Sequence, residues 1–579
     1  MRVILSRWLW AVTAACSTQL LAAPATAPAG AASAYIVQSR GTQSAVRVVR
    51  RVGGRVTHDL PIIHGASALL TPAQAARLRQ LGTVDLFADS TVMTEGYPGS
   101  SYSHSSSSGS GGGYSSPSVP NQDARVEIGA DRLGAQGFNG TGVTVAVLDT
   151  GLPPAWVQYA QTNNMGLVAY SADGSSFQDA SGHGSHVTTI IANPTRSANG
   201  QPLGIAPGVR LVAVKAFDAN GTSTYTTVLN GLNWIFANRA AYNIRVLNLS
   251  FAAKPQSFYW NDPIDQAVMQ LWQAGVVVVA SAGNWGPAAQ TIGVPGNTPY
   301  IITVGAMTDN YAPSNPLSWR LTSFSSTGPT FEGFVKPEIL APGGHIIGIM
   351  EPTTALLAQL HPTFQLHVDN LYVMSGTSQA AAVVSGSVAL MMQANPTLTP
   401  DQVKCRLMVS AHPALDPTNQ LAYSVFQQGA GEINAYDAVY SQSMGCANVG
   451  LNIAADLAGS AHFGGPARQA ADGSYYVVDQ NGTPINQQGY LWNNTYLASS
   501  GYLWNSGYLW DNGYLWNSGY LWDNGCLWNS GYLWNNGYLW NNAYLWNNAY
   551  LWNSGYLWDQ STLASPTAPA AINDWVGQQ

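Results

Sequence analysis

The sequence predicts an α/β protein. A large domain on a parallel β-sheet is preceded by a small α+β domain and followed by a β-type array of six-residue repeats. Three observations carry this. Between residues 123 and 445, short β-branched runs alternate with helical stretches, the pattern of a parallel sheet with right-handed crossovers. Residues 34–93 hold strand and helix signals of their own, cut off by a Gly/Ser-rich stretch at 96–120. Units such as Gly501-Tyr502-Leu503-Trp504-Asn505-Ser506 then recur without a gap over residues 489–560.

The N-terminus indicates the compartment. Arg2 and Arg7 precede an apolar run from Trp8 to Ala15, and small Ala/Pro-rich residues follow to Gly30. Charged, apolar, then small is the order of a secretory signal peptide, assigned to residues 1–25. Ser17, Thr18 and Gln19 interrupt the run long before the roughly 20 residues that a membrane span needs. A rival reading makes Cys16 a lipid-attachment site. The expected location is secreted or extracellular, with cell-surface association as a wider alternative. Only 9% of the 579 residues are charged and the net charge is −7, against roughly 25% charged in ordinary soluble domains. No basic patch is present to neutralise phosphates, which excludes a nucleic-acid partner.

Within residues 34–93, Tyr35-Ile36-Val37 reads as a strand, and Val46 to Val49 lead to the turn signal Gly53-Gly54. Leu60 to Ala68 is strand-like, Thr71-Pro72 opens a helix running to Leu81, and Val84 to Phe87 closes the unit. The stretch 96–120 has the composition of a flexible linker, a favoured site of proteolysis.

In residues 123–445, Val143 to Leu148, Leu211 to Ala216, Val246 to Leu249, Val276 to Ala280 and Ile301 to Val304 are continuous apolar runs. Such runs suit strands covered on both faces. Between them, Val228, Leu232, Ile235 and Phe236 share one face of a helix over Tyr225 to Arg239.

Three segments carry chemistry. Asp149-Thr150-Gly151 ends a strand, where parallel sheets build their sites. Gly182-His183-Gly184-Ser185-His186-Val187 opens a helix. Ser375-Gly376-Thr377-Ser378-Gln379 leads into a small-residue helix, which sets the Ser378 hydroxyl at a helix N-terminus that favours developing negative charge. Each segment alone is common. Asp, His and Ser in that order form one of the known solutions of the nucleophilic triad.

With these motifs, residues 123–445 resemble the subtilisin-type (subtilase) peptidase domain. The resemblance implies a subtilisin-like fold and a serine-type endopeptidase. In it Asp149 orients, His183 is the general base, Ser378 is the nucleophile and His186 is structural. Val276 to Asn284 is similar to the segment that delivers an asparagine to the oxyanion hole, so Asn284 joins the catalytic set. Substrate would lie as an added strand along Ser250, Phe251 and Ala252, with Ser281, Ala282 and Gly283 as the facing wall. Gly293 would form a floor that admits large apolar side chains. Four departures stand out: Ser185 for Thr, Gln379 for Met, Ala382 for Pro, and Trp285 beside Asn284, where its ring can narrow the pocket. Residues 34–93 resemble the family's inhibitory propeptide, an intramolecular partner whose chain end occupies the cleft. The remaining partners are protein or peptide substrates. No cofactor is required for catalysis, and calcium is a structural option with no ligands placed.

Three cysteines follow the signal segment, and an oxidising compartment permits a disulfide. Cys405 and Cys446 are the preferred pair, since Cys526 stands where neighbouring repeats have Tyr; three free thiols are the alternative. Residues 446–488 read as a spacer and 561–579 as a tail. In the repeats, a period of six puts Tyr and Trp on one face of an extended chain and Leu on the other, with Asn, Asp, Ser and Gly as turn formers. Stacked short strands are the economical reading, the aromatic rows either packed inside or available to glycan or cell surface. An inactive subtilase, or a surface-binding protein acting through its repeats, are the competing functions.

Overall fold

In a computed structural model of the chain, the described residues are 30–94, 119–162 and 166–485, less short gaps within 314–318, 367–369, 416–420 and 480–483. A two-residue strand pair at Trp534–Asn535 and Tyr538–Leu539 completes them. The signal segment, the linker up to residue 118, the tail and, that pair apart, the repeat array lie outside the described residues.

The N-terminal unit runs β1 (Ser33–Gln38), α1 (Thr42–Arg51), β2 (Arg55–Leu60), β3 (Gly65–Leu70), α2 (Pro72–Leu81) and β4 (Asp85–Ala88). The strands form an antiparallel sheet in the order β2-β3-β1-β4, a split βαβ arrangement. Thr71 caps α2 as its sequence foretells: its hydroxyl accepts from Gln74 N–H, and Gln74 Oε1 accepts from Thr71 N–H at 2.8 Å. Two features differ from the sequence reading. Helix α1 was not anticipated, although Ala45, Val46 and Val49 are its buried face at helical spacing. The single strand-like run at 60–68 is instead the end of β2, a turn at Pro61–Ile63, and the start of β3.

A further strand, β5 (Thr91–Thr94), leaves this unit and enters the large domain. There the core sheet comprises β6 (Thr144–Asp149), β7 (Leu167–Ser171), β8 (Arg210–Lys215), β10 (Ile244–Leu249), β12 (Val277–Ser281), β13 (Ile302–Thr308), β14 (Arg320–Leu321) and β15 (Ile339–Pro342). Its order is β14-β13-β12-β10-β6-β8-β7, with β15 also on β13, and every pairing but β13–β14 is parallel. The five apolar runs picked from sequence all fall in this sheet. All of β6, β12 and β13 is buried, as strands covered on both faces require. Helices α3 (His183–Ala192) and α6 (Thr377–Ala394) pack together as one covering pair; α4 (Tyr225–Asn238) and α5 (Pro263–Gln273) form the other.

Helix α7 (Pro400–Val409) carries Cys405, which is joined to Cys446 by a disulfide. Beyond it, the stretch read as a spacer is folded as far as Ile485. It has a helix at Ile453–Leu457 and a three-stranded sheet at Ala467–Gln469, Tyr475–Val478 and Pro484–Ile485. Ala467 and Val477 join the main core. Isolated polar residues around Phe463 and Tyr475 gave that packing no periodic signal.

Candidate active site

The carboxyl end of β6 delivers Asp149, as expected of a parallel sheet. Its Oδ1 accepts from Thr150 N–H at 2.7 Å and meets His183 Nδ1 at 2.8 Å. Both side chains are at most 2% exposed, so the contact operates with little solvent screening.

His183 is the first residue of α3, and its placement depends on the helix start. Asp179 Oδ1 accepts from Ser181 and Gly182 N–H at 2.9 and 2.8 Å, and Oδ2 from Ser185 N–H and hydroxyl at 2.8 and 2.6 Å. One buried carboxylate thus satisfies donors that the helix leaves open and complements its dipole. Gly184 is held there by contact: a Cβ would stand 2.7 Å from Gly151 O, and its N–H donates to Thr150 Oγ1 at 2.7 Å. His186 is turned away. It is fully buried, Nε2 lies 3.1 Å from Tyr372 O, and desolvation pushes its pKa down to about 3.

Ser378 lies in the first turn of α6, fully buried. Its hydroxyl donates to Ser250 O at 3.2 Å, while the Ser250 hydroxyl donates to Ser378 O at 3.0 Å. Behind them, Asn248 donates to Ser250 Oγ at 2.9 Å and accepts from Ser385 at 2.8 Å. This polar chain ties the helix of Ser378 to the end of β10.

Asn284 follows β12. Its Oδ1 accepts from both the N–H and the hydroxyl of Thr377, each at 3.0 Å. The amide oxygen is thereby turned to Thr377 and its nitrogen away from it. Thr377 and Asp179 were missing from the sequence reading, and only a Thr beside the serine and an Asp before the helix hinted at them.

Of the other predicted residues, Phe251 and Ala252 pair with β5. The strands β9 (Thr222–Thr224) and β11 (Phe251–Ala252) flank β5, antiparallel on both sides: Val92 faces Ser223, Met93 faces Ala252 and Thr94 faces Phe251. Val92 is fully buried. The N-terminal unit is docked beyond it. Its β2 and the turn Pro61–Ile63 pack on α4 and α5, and Ile62 N–H donates to Asn233 at 3.1 Å. Asp89 and Ser90 accept from the first amides of α4, Thr226 and Tyr225, at 2.8 and 3.0 Å. Next to these, Ser281 donates to Phe251 O at 3.3 Å, Gly293 N–H to Ala282 O at 3.1 Å, and Gly283 N–H to Thr377 Oγ1 at 3.3 Å. Among the described residues, no three His, Cys, Asp or Glu gather as metal ligands, so none is assigned to calcium.

A doubly covered parallel sheet thus carries a buried Asp149–His183 contact at one strand end, and the helix that starts at His183 packs on the helix that carries Ser378, an arrangement of the hydrolase class. The chain belongs to the subtilase family of serine peptidases, whose sequence pattern matches residues 140–431. It is 35% identical over 318 residues to the serine protease AprX of Bacillus subtilis (strain 168), across 53% of this chain and 68% of that one. It is 28% identical to subtilisin E of the same organism across 65% of this chain and 84% of that one. Its fold is similar to that of fervidolysin from Fervidobacterium pennivorans, described as a keratinolytic enzyme related to subtilisin, with a TM-score of 0.52 and 20% identity. That match spans 71% of this chain and 61% of fervidolysin.

Proposed function

We propose that the chain is a secreted serine endopeptidase made as a self-inhibited precursor. The buried contact of Asp149 with His183 Nδ1 carries the reading. Asp149 Oδ1 accepts the Nδ1 proton, which leaves Nε2 as the basic nitrogen. His183 then takes the Ser378 hydroxyl proton as Oγ attacks the substrate carbonyl. Asn284 and the Ser378 N–H hold the oxyanion, with Thr377 keeping the amide oriented. His183 passes the proton to the leaving amine. Water, activated by the same histidine, hydrolyses the acyl-enzyme and restores the serine.

In this reading β5 occupies the groove as substrate would, with backbone pairing on both edges. The N-terminal unit is the inhibitor that holds it there, and the stretch at 96–120 is where the precursor is opened. The six-residue repeats take a secondary role in surface contact. Trp emission from residues 489–560 expressed alone tests that: blue and poorly quenched if the rings pack inside, red and readily quenched if they face outward.

The decisive experiment on the enzyme is Ser378→Ala in a protease-free host. Casein hydrolysis is expected to vanish and the secreted chain to stay near full length after signal removal. Normal processing of the mutant would overturn self-maturation, and retained hydrolysis would overturn Ser378 as the nucleophile.

A further inference from the structure

We infer that Trp285 sets the specificity of the cleft by filling the pocket for the side chain before the scissile bond, so that small residues are preferred there. The inference rests on the proposed reading of Ser378 as the nucleophile. The pocket is located by contacts described above. Ser250 carries the carbonyl that Ser378 touches, and Asn284 is held by the adjacent Thr377. The backbones leading from them, Ser250 to Ala253 and Ser281 to Gly283, are bridged by Gly293 and Val294: Gly293 N–H donates to Ala282 O, and Val294 exchanges two bonds with Ala253 at 2.8 and 3.0 Å. The slot beside Ser378 is therefore walled by two backbones and closed below by a glycine, which by itself would leave it deep.

The indole of Trp285 lies over that floor. A Cβ at position 293 would stand 2.9 Å from Trp285 Cζ3 and 2.8 Å from Ala252 Cβ. A Cβ at position 283 would stand 3.4 Å from Cε3 of the same ring. The ring thus runs from the Gly283 wall to the Gly293 floor, and Ala252 closes the opposite side. Its root is fixed: Trp285 N–H donates to Ser326 Oγ at 3.1 Å and Gly286 N–H to Phe324 O at 2.8 Å. The side chain is only half-buried, with solvent rather than protein over the rest. A glycine, alanine or serine side chain fits above the indole. A phenylalanine or leucine has to displace it and forfeit its contacts with both glycines.

Peptide anilides identical except for Ala, Leu or Phe before the cleaved bond test this with the mature enzyme. Wild type is expected to show kcat/KM for Ala at least about tenfold above that for Phe, since each excess methylene meets a filled pocket. Trp285→Gly should move that ratio on the order of 100-fold toward Phe, and Trp285→Phe should fall between the two. Preference of the wild type for Phe or Leu overturns the inference, as does a ratio that shifts less than threefold in Trp285→Gly. Should Trp285→Gly fail to fold, the wild-type series and Trp285→Phe still decide it. Failure of the enzyme to cut any of the three peptides, or casein, would count against the proposed function instead.

Discussion

Thr377 gives both of its hydrogen-bond donors to one acceptor, Oδ1 of Asn284, at 3.0 Å each. The residue before the proposed nucleophile thus orients the proposed oxyanion donor, so two parts of the site move together. Asn284→Ala is expected to lower kcat by about 2.7–4 kcal/mol of transition-state stabilisation, a range established on subtilisin itself. Thr377→Val, which keeps the N–H but loses the hydroxyl, is expected to cost about tenfold in kcat, the scale of one hydrogen bond. KM should be little changed in both. An unaltered kcat in Asn284→Ala would remove that side chain from the oxyanion hole.

Asp179 accepts four hydrogen bonds at the start of α3. Asp179→Ala leaves those buried donors without their acceptor and is expected to cost about 2 kcal/mol or more of stability. Urea unfolding of the Ser378→Ala protein, chosen because it is expected not to digest itself, with and without the second change, provides the measurement. A midpoint shift near zero would show that the helix start holds without the carboxylate.

The N-terminal unit has a core of its own around Val37, Val46, Val49 and Leu70. Residues 30–94 added separately should inhibit the mature enzyme at micromolar concentration. Val92 is fully buried in the docked strand, so Val92→Asp brings a charge into an apolar site and should weaken inhibition by on the order of 100-fold. Equal potency of the two forms would mean that β5 contributes nothing to docking.

His186 gives a pH signature. Burial holds its pKa at about 3, whereas the unfolded chain protonates it near 6.5. Between those values the unfolded state binds the extra proton, so stability is fully present above about pH 6.5 and declines as pH falls toward 3. Buried carboxylates such as Glu127 and Glu432, with pKa values raised by desolvation, pull the opposite way. Comparison with His186→Asn isolates the histidine. In the Ser378→Ala background, wild type at position 186 should lose about 2 kcal/mol more than the variant between pH 7 and pH 5. Parallel pH curves would rule the titration out.

Much of this architecture was legible because parallel strands buried on both faces announce themselves as unbroken apolar runs. Val276 to Ala280 was found within one residue of the observed β12. Asp149, His183, Ser378 and Asn284 were legible as motifs at strand ends and helix starts. Helix α1 escaped because Val46, Val48 and Val49 favour a strand locally, while the packing that selects a helix comes from elsewhere in the unit. The direction of the Trp285 ring was not readable either. It depends on Gly293, eight positions along the chain, and on a backbone held by Ser326 and Phe324.

The strand β5 is four residues long and paired along both edges, to β9 and to β11. On the proposed reading a segment of a target protein takes its place in the cleft, and must surrender its own partners first. In a native helix the amides are committed to the preceding turn, and inside a sheet both edges are taken. Such a cleft samples the breathing of its targets. Attack on a compact protein then tracks how often a stretch of that length works loose, and the pattern of cuts traces the target's soft joints.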